Sequence, residues 1–207
     1  MAERKPCSCI VLLALTFLLT SCASTKLFDT WKDRQFQGPA FKKIMVVALA
    51  KRPDIRQRME DEFAGQLNAR GVNAVTCYSL IPDPKNLTRE EVVKAVNKTG
   101  VEGVLVMGLR QAGRAGRVES VRAEVPDPRR PMSFENYLAT TEPLSGESSM
   151  FKQGEVVTIS TRLFDARTDG KLVWFTNSET IESGKLEQEI VTFSKVILNE
   201  LRKDRML

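Results

Sequence analysis

The chain contains no histidine at all. That absence removes Ser-His-Asp and Cys-His nucleophile pairs, histidine-bound zinc and every imidazole acid or base. Cysteine is almost as scarce: Cys7, Cys9, Cys22 and Cys77 are the full set, and none forms a Cys-x-x-Cys pair. Gly108, Gly113 and Gly116 fit neither a dinucleotide nor a Walker phosphate loop. No acidic calcium loop occurs. Glu60, Asp61 and Glu62 are successive residues of one helix, so they point in different directions and read as a solvated face. Ser194 and Lys195 are helix neighbours and cannot face each other as a dyad. No cofactor is implied, and the sequence favours a non-enzymatic protein.

A long apolar run is also missing. The longest, Ile10 to Leu19, is ten residues. As a helix it rises ~15 Å, half of a hydrocarbon core that takes ~20 residues to cross. Arg4 and Lys5 precede it and small residues follow, the pattern of an export signal rather than a membrane span. Its end, Leu19-Thr20-Ser21-Cys22, resembles the lipobox of bacterial lipoproteins. The resemblance implies removal of residues 1–21, a diacylglycerol thioether on Cys22 and an acylated amine. Two or more acyl chains anchor durably where one is reversible. Ala23 after the cysteine implies the outer membrane rather than the inner, on the periplasmic side.

Loss of Glu3, Arg4 and Lys5 with the signal takes the formal balance from +5 to +4. Export makes nucleic acid an unsuitable partner despite the basic pI of about 9.1. Cys77 would be the lone free thiol, and its apolar run Val75 to Leu80 suits an inert buried residue.

Residues 22–40 are polar and read as a lipid-anchored tether. Trp31 there fits either the headgroup level or packing on the domain. From 41 to 207 the order is β-α-β-α-β, an irregular insertion over 110–154, then β-β-α. Phe41 to Leu49 is apolar enough for a strand covered on both faces. Ile55, Met59, Phe63 and Leu67 repeat every four residues, with Asp54 and Gln57 at capping-box spacing and Gly71 as a stop. Val72 to Leu80 is a second strand. Thr88 and Glu91 form another capping box before Val92, Val93 and Val96; Gly100 ends that helix, and Val101 to Leu109 is a third strand. Val157, Ile159, Thr161 and Leu163 alternate up to Asp169-Gly170, a hairpin turn that leads into Leu172 to Ile181. Leu186, Ile190, Phe193, Ile197 and Leu201 mark a C-terminal amphipathic helix. The class is α/β: a single domain with a mixed sheet, in two or three layers. Residues 22–207 are enough to bury ~70% of the unfolded surface.

The insertion carries Arg110, Arg114, Arg117, Arg122, Arg129 and Arg130, opposed over that span by Glu119, Glu124 and Asp127. Guanidinium groups bind carboxylate and phosphate bidentately, so these six form a candidate site for an anionic lipid, glycan or envelope protein. The competing reading is a solvated loop paired with its own acids.

Two stretches resemble a group of uncharacterised bacterial lipoproteins. One runs from Trp31 through Phe41-Lys42-Lys43-Ile44-Met45-Val46-Val47 and the helix with Glu60 and Phe63 to Arg70-Gly71-Val72-Asn73-Ala74-Val75. The other is Arg162-Leu163-Phe164-Asp165-Ala166-Arg167-Thr168-Asp169-Gly170-Lys171-Leu172-Val173-Trp174. The element order is similar to the α/β domain of the curli-secretion lipoprotein, of the lipoprotein activators of peptidoglycan synthases and of the Tol propeller protein's N-terminal domain. The likeness of element order is one of architecture and carries no function. The lipobox, the absence of assembled catalytic chemistry and the arginine-bearing insertion point to a membrane-anchored binding or assembly module of the envelope, with a subunit of a secretion or pore assembly as the alternative. A histidine-independent envelope hydrolase is the third reading. No catalytic residue is carried over.

Overall fold

The computed structural model describes residues 25–50, 52–114, 133–140, 155–181 and 183–207. Six strands, β1 (Thr25–Lys32), β2 (Lys43–Leu49), β3 (Asn73–Thr76), β4 (Gly103–Arg114), β5 (Glu155–Asp165) and β6 (Lys171–Ile181), form one sheet in the order β1-β6-β5-β4-β2-β3. The β2 strand runs parallel to β3 and β4, and the remaining pairs are antiparallel. The helices are α1 (Pro53–Asn68), α2 (Arg89–Thr99), α3 (Phe134–Thr140) and α4 (Leu186–Lys203). This is the mixed α/β sheet with a C-terminal amphipathic helix that the hydrophobic pattern calls for.

Strand alternation decides the layers. Ile44, Val46 and Ala48 of β2 join Phe63 and Leu67 of α1 and Phe193, Ile197 and Leu201 of α4. Met45, Val47 and Leu49 face the other way, onto Val92, Ala95 and Val96 of α2 and Phe134 and Tyr137 of α3. Both faces of the sheet are thus covered, in three layers. Each fully buried side chain of this size contributes ~1.5–3 kcal/mol, so both faces supply core energy.

Local signals hold where they act locally. The Thr88 hydroxyl accepts from the Glu91 N–H at 3.3 Å, and Gly100 closes α2 in the left-handed region. Asp169 and Gly170 turn the β5–β6 hairpin with φ of 52° and 66°.

Four expectations are corrected. The segment read as a tether contains β1, an edge strand on β6. Its charges disguised it, but an edge strand has a solvated side that tolerates Lys26, Asp29 and Lys32. Trp31 accordingly packs on the core cluster with α2 and α3. The insertion is not irregular at its start: Gln111 to Arg114 continue the β4–β5 ladder, and Phe134–Thr140 is helical with Phe134 and Tyr137 against Phe164. The second strand stops at Thr76 because Leu80 and Ile81 both donate back to the Cys77 carbonyl and turn the chain. Finally, α1 has no side-chain cap; Asp54 instead accepts from the Arg52 guanidinium.

Candidate functional site

The lipidation residue Cys22 lies outside the described residues, as do Arg117, Arg122, Arg129 and Arg130. Arg110 and Arg114 fall on the last stretch of β4, with Arg114 opposite Glu155. The last β2 partner of β4 is Gly108, opposite Leu49, so beyond it β4 keeps only β5 as a neighbour. The described residues therefore do not bring the six arginines into one site.

Glu60 is a second departure. It is fully buried rather than solvated, because it sits on α1 where β2 and β3 end and their backbone donors need acceptors. Its two carboxylate oxygens accept from the Ala48 N–H at 3.1 Å and the Tyr78 N–H at 2.7 Å. Arg56, one turn earlier, donates its Nε to Glu60 at 3.1 Å and its Nη1 to the Ile81 carbonyl at 2.8 Å. Burial pushes the Glu60 carboxyl above its ordinary value, against the pull of those donors. Only Asp61 and Glu62 keep the solvated role, Asp61 accepting from the Tyr78 hydroxyl at 2.6 Å. Beside them burial, reinforced by the Glu60 charge, pushes the Cys77 thiol up to about 12, so it is inert. The cluster clamps α1 to the strand ends and offers no nucleophile.

A buried cation stands apart from that cluster, Arg162 on β5. It is 4% exposed and pinned between aromatic rings, its guanidinium carbon 4.4 Å from the Tyr137 centroid and 4.9 Å from that of Phe175. Its Nη1 donates to the Tyr137 hydroxyl at 3.0 Å and the Ser160 hydroxyl at 2.6 Å. Among the described residues, no carboxylate comes within ion-pair distance of it. Burial pulls its pKa down, with Tyr137 opposing. Across the register from Ser160 stands Asn177 of β6, buried, with its Oδ1 lacking a hydrogen bond and its amide 3.4 Å from Asp29 Oδ2. Gly108 completes the row on β4, where an added Cβ would lie 3.4 Å from the Tyr137 hydroxyl. A guanidinium carries five N–H donors, and the hydrogen bonds within the described residues use those of Nη1. The alternation of β5 marks its apolar face and leaves Arg162 on the polar one. The sequence signal that would have buried it is α3, hidden between prolines.

No family model matches the chain, and no curated protein matches it. Among solved structures it is similar to a PelC dodecamer from Paraburkholderia phytofirmans at 14% identity, over 86% of this chain and 98% of that one, with a TM-score of 0.44. A second PelC dodecamer of that organism shares 14% identity over 84% and 96%, with a TM-score of 0.43. Lipoprotein GNA1162 from Neisseria meningitidis shares 14% over 78% and 96%, at 0.39. Likenesses this distant decide neither activity nor assembly.

Proposed function

We propose that this chain is a lipid-anchored lipoprotein of the bacterial cell envelope, facing the periplasm from the outer membrane, whose α/β domain is a non-enzymatic binding or assembly module. The observation that carries the reading is the junction: the lipobox-like Leu19-Thr20-Ser21-Cys22 is followed at Thr25 by the first strand of the sheet. Export segment, acylation residue and folded domain then succeed one another without a gap. The chemistry of the domain suits binding: the sequence has no histidine, its one mature thiol is inert, and a buried guanidinium stands without an acid among the described residues. Arg162 and the set Arg110, Arg114, Arg117, Arg122, Arg129 and Arg130 favour an anionic partner, a glycan, a lipid headgroup or an acidic protein surface.

Intact mass and membrane fractionation of the native protein beside Cys22→Ala test the anchor. Acyl mass in the outer-membrane fraction, lost in the variant, is the expected result; two soluble, unacylated forms would remove the reading. For the partner class, Arg129→Ala with Arg130→Ala should leave folding intact and weaken retention on envelope extract. Unchanged retention would return those two residues to a solvated loop.

A further inference from the structure

We infer that the Thr25 end of β1 and β6 rests directly on the bilayer, and that Ile181 and Phe28 enter its interfacial layer. The inference rests on the reading that Cys22 is acylated and deepens it. Only Ala23 and Ser24 separate Cys22 from β1. Three residue steps reach ~11 Å at full extension. Thr25 itself is fixed in the sheet, paired with Thr180 through the ladder and through their hydroxyls at 2.9 Å. An acylated Cys22 therefore holds a rigid sheet corner against the membrane and cannot act as a leash.

That corner is apolar where it needs to be. Among the described residues three large hydrophobic side chains are exposed: Phe28 at 41%, Ile181 at 48% and Leu80 at 37%. Ile181 directly follows Thr180, the partner of Thr25. Phe28 pairs with Asn177, an even number of residues from Ile181, so alternation puts both side chains on one face of the sheet. A β1 tilted to the bilayer sinks Ile181 first and Phe28 at the rim. Exposed Lys26, between them opposite Glu179, can lay its stem along the interface and keep its ammonium at the phosphates. Leu80 lies beyond β3 on the far edge of the sheet and supplies an internal control. Strand addition by a second copy is the weaker occupant. The ladder bulges between Phe28 and Trp31, Asp29 sits at φ 55°, and Lys26, Asp29 and Lys32 charge the edge.

The test places single cysteines at Phe28→Cys, Ile181→Cys and Leu80→Cys in the native lipidated chain and labels each with an environment-sensitive nitrobenzoxadiazole. Cys77 does not compete, being buried with a thiol pushed up to about 12. Vesicles of phosphatidylethanolamine and phosphatidylglycerol, with and without brominated acyl chains, are the probe. The expected result is blue-shifted emission quenched by bromolipid at 181 and, to a smaller extent, at 28, with the label at 80 unchanged. An acylated chain whose three labels are equally unquenched overturns the docking while leaving the anchor intact. A blue shift at 28 and 181 without quenching also overturns it, since protein rather than lipid would then cover the corner. An intact mass without acyl chains overturns the inference together with the anchor.

Discussion

Replacing Glu60 tests whether the clamp at the strand ends is as costly to break as its geometry implies. In Glu60→Ala the Ala48 and Tyr78 N–H groups lose their acceptors, at 3.1 and 2.7 Å, and Arg56 loses the one carboxylate it bonds among the described residues. Arg56 is 1% exposed, so its charge cannot be rehydrated without opening α1. Removing one partner of a buried pair costs ~3–5 kcal/mol, and an orphaned buried N–H ~1–3 kcal/mol. These penalties overlap, which makes about 4 kcal/mol the expected loss, a large share of a total stability of ~5–15 kcal/mol. Arg56→Met should cost less, because the carboxylate keeps both backbone donors. The double variant Arg56→Met with Glu60→Gln should lie nearer wild type than Glu60→Ala, since it buries no unpaired cation. Urea unfolding at about pH 8, followed by the fluorescence of buried Trp174, measures all three. A loss below ~1 kcal/mol for Glu60→Ala would refute the reasoning and make Glu60 as solvated as its neighbours. The pH dependence has a definite sign. Burial raises the folded pKa of Glu60 above its unfolded value, so the native state holds the proton longer and stability falls as pH rises between the two. The advantage of wild type over Glu60→Gln should therefore shrink upward from ~pH 4.5 and level off above the folded pKa.

Cys77 should resist a maleimide in the native protein and react once urea unfolds it; fast labelling without denaturant would contradict its burial. Arg162→Met should change the urea midpoint little or raise it, because apolar replacement of a buried cation with no acid partner among the described residues removes its desolvation cost. A loss above ~3 kcal/mol would mean that its hydroxyl and ring contacts fully repay the burial. Gly170→Ala should lower the thermal midpoint, since φ is 66° and the new Cβ would stand 3.0 Å from the Phe134 Cβ; ~1–3 kcal/mol is the expected loss.

The parts of this fold legible in the sequence are those whose cause lies within a few residues. The Asp169-Gly170 turn needs two positive φ angles, and the Thr88 cap needs one hydroxyl three residues ahead of an N–H, so both are written locally. The Glu60 role is not local: nothing in Glu60-Asp61-Glu62 distinguishes the first carboxylate until the ends of β2 and β3 arrive beside it. Nor is β1, whose stability comes from a partner about 150 residues away in the chain, Thr25 bonding Thr180 and Thr30 bonding Thr176.

Arg162 shows what the undecided number of layers concealed. Alternation in β5 assigns Val157, Ile159, Thr161 and Leu163 to a core and leaves Ser160 and Arg162 on the opposite face. Under two layers that face meets water, where an arginine costs nothing and means little. With α2 and α3 forming a third layer, the same alternation drives Ser160, Arg162 and Asn177 into the interior. A solvated row becomes a desolvated one without any change in its residues, and desolvation strengthens each of its interactions. The burial of this polar row thus depends on seven residues, Phe134–Thr140, whose position over β5 no local pattern announces.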